Sequence, residues 1–206
     1  LSAIMYGLRV SLYVGVASGV IALVIGALLG VVAAYAGGRF EQFLMRLADI
    51  QLGFPAILIA LILLAVLGKG VDKIIIALVT VQWAYYARTA RSAALVERNK
   101  EYIEAARGLG LSSARIVFRH LLPNALPPLI VVGTVQIAHA IALEATLSFL
   151  GLGLPTTEPS LGLLIANGYE FLMSGKYWIS VYPGIALLVT ILSINLVGDQ
   201  LRDVLN

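Results

Sequence analysis

Gln82, Gln136, His139, Glu144 and Asn195 stand inside long apolar runs of the chain. A polar side chain in such a run is costly unless paired. It marks either a route for a polar solute or a hydrogen bond between helices. Glu144 is the acidic residue deepest in a run, and both readings stay open for it. Gln136 and His139 are three apart, on one face of a helix. With Gln82 they are candidates for lining a path, with interhelical hydrogen bonding as the alternative. Asn195 is a weaker path candidate. Asp49 lies near a run's charged end and is expected to pair with Arg46 or another loop charge. Trp178 suits an interfacial anchor, whereas Trp83 lies too deep for that and is expected to pack.

The second group lies at 97–123, a charged, helix-forming stretch between apolar runs. It contains Glu104-Ala105-Ala106, then Gly110, then Leu122-Pro123. These residues do not form a catalytic set. The chain has no Cys, and neither His120 nor His139 has an acidic neighbour at ligand spacing, so no metal or cofactor is implied. It also lacks a Gly-x4-Gly-Lys-Ser/Thr phosphate loop, so any nucleotide hydrolysis belongs to a partner. An intramembrane enzyme would need a Ser/His pair, an Asp pair or a metal motif within the runs; Asp49 has no deep acidic partner and His139 no obvious nucleophile.

These residues need apolar elements to hold them. The chain is 60% hydrophobic and 12% charged, with mean hydropathy +0.97. Soluble domains average about 25% charged residues. A lipid bilayer is therefore the expected solvent, and the net charge of +3 carries no nucleic-acid message. Runs at 10–38, about 44–68, 74–96, 124–149 and 177–198 predict five transmembrane helices. Gly26 and Gly30 form a small-residue stripe that suits close helix packing within the bundle. Pro55 predicts a kink in the second span. Residues 151–176 predict an external loop with a short helix.

Arg9, Lys69, Lys73 and Lys176 fall on one side of this arrangement, and the other ten Lys and Arg fall on the side of 97–123. The positive-inside bias puts 97–123 and the C-terminus in the cytoplasm. The first run then starts outside, so a further span is expected before residue 1. Within 97–123 the pattern predicts two short helices. Asn99 would cap the first, Gly108 and Gly110 would end it, and Ser112 or Ser113 would cap the second. Pro123 would stop the second helix, with Ile116, Val117, Leu121 and Leu122 turned to the bundle.

Glu104-Ala105-Ala106, three residues, Gly110, eleven residues and Leu122-Pro123 resemble the EAA loop of membrane subunits of ATP-binding-cassette importers. His120 departs from the apolar residue common in that loop. The run Arg119 to Asn124 instead resembles the dipeptide/oligopeptide/nickel branch, as do stretches 6–15, 54–61, 143–155 and 196–206. The resemblance implies an all-α polytopic permease domain over 1–206 with the type I importer fold, five helices here and six in an intact chain. It implies docking of the loop in a cytoplasmic ATPase, through Glu104, Ala105, Ala106, Gly110, Leu122 and Pro123. It further implies a second homologous permease subunit, two ATPase subunits, an extracytoplasmic substrate-binding protein, and a bacterial or archaeal inner membrane. Di- and oligopeptides are the leading cargo, and nickel or another small solute remains an alternative. An ion-gradient transporter is the less favoured reading, since it would show internal repeats and more buried carboxylates.

Overall fold

A computed structural model describes residues 1–155 and 157–205. Thr156, within the 151–176 loop, and Asn206, the last residue of the 196–206 stretch, lie outside the described residues. Nine α-helices are described: α1 Ser2–Ala36, α2 Gly38–Leu52, α3 Ala56–Leu67, α4 Val71–Arg98, α5 Glu101–Gly108, α6 Ser113–Ile116, α7 Leu122–Phe149, α8 Leu161–Tyr169 and α9 Trp178–Leu205.

Helices α1 and α4 form the centre, and small residues let them approach. A methyl group on Gly26 would sit 2.5 Å from the Trp83 carbonyl oxygen and from Tyr86 Cβ. On Gly30 it would collide with the Ala87 carbonyl oxygen and lie 2.7 Å from Ala90 Cβ. The Gly26/Gly30 stripe is thus filled by α4 of the same chain, as expected of bundle packing. About two turns further out, Gly15 and Gly19 of α1 receive Ile141 and Ile137 of α7.

The helix formed from residue 113 through Phe149, α9 and α1 are each long and apolar enough to cross a membrane, and the α2–α3 pair adds a fourth candidate. The fifth expected span is α4. Its 28 residues rise about 42 Å at 1.5 Å each. It is less apolar than the others because Asp72, Lys73, Arg88 and Arg91 leave only 74–87 uncharged; within that stretch Ile74, Leu78, Val81 and Tyr86 are buried in the bundle.

Three expectations need correction. The second span is broken, not kinked: α2 and α3 meet at 90° around Gly53-Phe54-Pro55. Proline disfavours helical backbone at the preceding residue, here Phe54, and itself lacks a donor. The Gln51 side chain then pins the corner, donating to the Thr80 and Val81 carbonyls and accepting from Trp83 Nε1 at 2.6 Å.

Pro123 does not stop a helix either. Helix α6 runs into a π-helical turn, Val117–Leu121, and on into α7. There the Leu122 N–H bonds to the Val117 carbonyl, five residues back. The wider turn lets the chain continue into α7 although Pro123 has no N–H to donate.

The segment after α7 carries the expected short helix, α8, but that helix is packed into the bundle rather than lying on the surface. Helix α8 is wedged between α7 and α9. Gly162 abuts the Ala145 backbone, and a Cβ on Gly168 would sit 2.5 Å from the Ser180 nitrogen.

Candidate functional site

The 97–123 segment is bolted to the bundle. Asn99 is the C-cap of α4 rather than the N-cap of α5; that position falls to Lys100, which makes no side-chain cap bond. Ile103 and Ala106 of α5, with Ile116, Val117 and Leu121, join one buried cluster with Val31, Ala34, Tyr86 and Ala90. The expected inward turn of Ile116, Val117 and Leu121 is present, and Leu122 is half-buried. The opposite face of α5 presents Glu104, Ala105 and Arg107. Ala106 faces inward, so of the two alanines only Ala105 is on the open face.

Gly110 has φ +73°, a left-handed conformation, with nothing near the space of its absent side chain. Its role is backbone geometry: it reverses the chain between α5 and α6. Ser112 caps α6 as expected, its Oγ accepting from the Arg115 nitrogen at 3.4 Å. Leu109, 81% exposed, is an apolar residue offered to solvent at the tip of the unit.

Polar contacts that were not anticipated lock the unit in place. Tyr102 donates its hydroxyl proton to Glu97 Oε2 at 2.7 Å and accepts from Asn124 Nδ2 at 3.2 Å. Lys100 Nζ donates to Glu97 Oε1 at 2.6 Å. Asn124 Nδ2 also reaches the His120 carbonyl at 2.6 Å. One aromatic residue thus joins α4, α5 and the start of α7. The bonds from Lys100 and then Tyr102 hold the Glu97 carboxyl below its usual range. Removal from water, then the bond to Glu97, pushes the Tyr102 hydroxyl up to about 12. Beneath the unit, Tyr35 of α1 donates to Ser113 Oγ at 3.1 Å, and the Arg107 guanidinium lies 5.5 Å over its ring. A tyrosine inside a charged helix is the one local signal that could have singled out Tyr102.

The polar residues of the spans are dispersed. Gln82 Nε2 donates to the Gln136 carbonyl at 3.3 Å, and both side chains are buried. The Gln82 amide oxygen has no hydrogen-bond partner among the described residues. His139 is exposed, so it does not share the Gln136 environment despite the three-residue spacing. Asn195 is half-buried on α9. Asp49 pairs with Arg88 at 3.5 Å, not with Arg46, and both partners are exposed. Trp178 is exposed at the start of α9, and Trp83, though packed as expected, also bonds to Gln51.

Glu144 is fully buried. It accepts from Ser148 Oγ at 2.6 Å and from Ser11 Oγ at 3.0 Å. Ser11 in turn accepts from the Leu161 nitrogen at 3.2 Å. Ser148 accepts weakly from the Leu154 nitrogen. The carboxylate therefore ties α1, α7 and the entry to α8 together. Of the two readings, this geometry fits the structural one. Among the described residues no group of His, Cys, Asp and Glu is arranged to hold a metal ion.

Known proteins share this architecture. A peptide transport system permease protein of Brucella suis is 44% identical over 203 residues, covering 98% of this chain and 68% of that protein. The di/tripeptide transport system permease protein DppC of Pseudomonas aeruginosa is 38% identical over 206 residues, covering 100% of this chain and 68% of that protein. The oligopeptide transport system permease protein OppC of Bacillus subtilis is 38% identical over 200 residues, 97% of this chain and 65% of that protein. An inward-facing structure of the MetNI methionine ABC transporter superposes with a TM-score of 0.79 at 21% identity, covering 100% of this chain and 97% of that one. At that identity it speaks for the fold. Residues 26–206 match the family described as binding-protein-dependent transport system inner membrane component. With this match, these relatives and this bundle, the chain belongs to the family of inner membrane components of binding-protein-dependent transport systems.

Proposed function

We propose that the chain forms half of the translocation path of an ATP-driven importer of di- and oligopeptides. Its partner in the membrane is a second, homologous permease subunit. Two cytoplasmic ATPase subunits grip the pair through 97–123, and a substrate-binding protein delivers peptide at the outer face. Hydrolysis belongs to the ATPases; the permease itself catalyses no reaction. The peptide cargo is supported by the relatives named for peptide transport.

The coupling role rests on one observation. The buried face of α5 and the π-helical turn share a single core cluster with α1, α4 and α7. Side chains at protein packing density have no slack. Movement of α5 by a docked partner is therefore passed to the spans, not absorbed in a loop. Glu104, Ala105, Arg107, Leu109 and Gly110 form the open side of this handle. Leu122 and Pro123 act from the other end, as part of the junction to α7. The path candidates Gln82 and Gln136 are better placed as an interhelical pair. His139 and Asn195 keep open sides that the second permease or the cargo can meet.

The test is reconstitution of the assembled transporter in liposomes with its binding protein. Di-, tri- and longer peptides should stimulate ATPase activity and accumulate in an ATP-dependent way. Nickel-dependent stimulation without a peptide response would transfer the chain to the alternative cargo. Uptake driven by an ion gradient without ATP would overturn the importer reading.

A further inference from the structure

Tyr6, Arg9, Val10 and Tyr13 follow the i, i+3, i+4, i+7 pattern of one helix face on α1. With Val71 at the start of α4 and Glu158 before α8, they line a cavity of about 520 Å³. Small-molecule sites commonly occupy roughly 300–1,000 Å³. All its lining elements lie at the outer end of the bundle as the charge bias orients it.

Its walls carry both signs of charge. Among the described residues, the four ion pairs leave out both Arg9 and Glu158. The two charges ride on backbones joined to each other. Ser11, two residues after Arg9, accepts from the Leu161 nitrogen, three residues after Glu158, and also bonds to Glu144. A Cβ on Gly7 would lie 3.2 Å from the Ser160 carbonyl carbon, so α1 and the segment carrying Glu158 pack directly. The backbones that carry the cation and the anion are thus tied together by a buried network, while both charged side chains stay exposed to meet a ligand.

We infer that this cavity is an outer-face receiving site for a zwitterionic peptide. Arg9 takes the terminal carboxylate, Glu158 takes the terminal ammonium, and Tyr6 and Tyr13 flank the side chains between them. Guanidinium suits a carboxylate through its two-pronged donors. The two opposite charges match the two termini of a zwitterion, whereas a free divalent cation offers no group for the guanidinium. The inference rests on the peptide-import reading and adds which groups of the cargo are recognised here.

The absence of cysteine from the chain permits a direct test. Asp72→Cys and Thr157→Cys each place one exposed thiol next in sequence to a lining residue, Val71 or Glu158, outside the proposed contacts. Each variant is assembled with its partner subunits and binding protein in liposomes. It is then supplied with the dipeptide Leu-Cys carrying a thionitrobenzoate leaving group on sulfur. Mass spectrometry of this chain reads the mixed disulfide. Labelling is expected at one or both thiols. Excess Leu-Ala should suppress it at least tenfold, whereas N-acetylated or C-amidated Leu-Ala should not. Adding Arg9→Gln or Glu158→Gln should lower it at least tenfold.

Dipeptide uptake with both thiols unlabelled overturns the site and leaves the import reading intact. Labelling indifferent to Arg9→Gln and Glu158→Gln, or equally suppressed by the capped peptides, also overturns it. A wild-type transporter that imports no dipeptide removes the peptide reading itself, and the site with it.

Discussion

The Arg98 guanidinium donates from Nη1 to the carbonyl of Ala34 at 2.6 Å, so the last residue of α4 caps the end of α1. The final carbonyls of a helix lack internal partners and carry partial negative charge. A cation from the neighbouring helix meets both needs at the point where the coupling unit begins. Arg98→Leu should therefore lower stability by about 1.5–3 kcal/mol, the usual worth of a charge-assisted bond. It should also raise protease sensitivity near residue 100. The check is thermal unfolding of the purified transporter, followed by peptide mapping after brief trypsin treatment. An unchanged midpoint and cleavage pattern would show that Arg98 contributes nothing there.

The Glu97–Tyr102–Lys100 cluster predicts an acid limit for ordering of α5. The Glu97 carboxyl is depressed in the folded chain, first by Lys100 and then by Tyr102. Its contribution is complete above the unfolded pKa and is lost as pH falls through the lower, folded one. Tyr102 is raised to about 12, so its contribution is present below its ordinary value and is lost only as pH rises towards 12. Between those limits α5 should stay ordered. A spin label at Ala105→Cys should report constant mobility near neutral pH and increasing mobility below pH ~4. Glu97→Gln should weaken ordering at neutral pH and flatten the acid transition. An acid transition of undiminished size in that variant would assign it to another carboxylate.

The residues that were legible in the sequence are those whose physics is local. Val10 to Gly38 is uncharged and Gly-studded, which announces both a span and its close neighbour. Ser112 and Gly110 were legible because cap and turn chemistry act within a few residues. The corner at Pro55 was legible as a disturbance but not as a right angle. Its direction is set by Gln51 reaching α4, a contact about thirty residues away. The role of Glu144 was undecidable in sequence because one partner, Ser11, is 133 positions away. His139 shows the complementary limit. Helical spacing relates it to Gln136 but cannot say that the edge of the buried stripe runs between them.

Gly110 separates a conformational requirement from a spatial one. Its φ of +73° penalises any side chain, yet no atom lies within 4 Å of the place a Cβ would occupy. A β-branched residue pays the full left-handed cost, roughly 1–2 kcal/mol or more, whereas Asn visits that region with less penalty. Gly110→Val should shift the angle between α5 and α6 and reduce transport at least tenfold, with membrane insertion retained. Gly110→Asn should keep most activity. ATP-dependent uptake and ATPase co-purification measure the two effects separately. Equal activity for the Val and Asn variants would mean that the turn is not what couples the two helices to their partner.

Glu144 gives the sharpest test of structure against transport. Its carboxylate accepts from Ser11 and Ser148, and Ser11 is shared with the backbone at the start of α8. Gln keeps an acceptor oxygen and the side-chain length, so Glu144→Gln should fold and retain substantial uptake. Glu144→Leu leaves the Ser11 and Ser148 hydroxyls buried without their acceptor, at about 1–3 kcal/mol for each unsatisfied group. That loss should fall on folding yield and thermal midpoint, and loosen α8. Loss of uptake in Glu144→Gln at wild-type stability would instead show that the negative charge itself serves transport. Matched expression, melting and uptake measurements on the two variants decide between these outcomes.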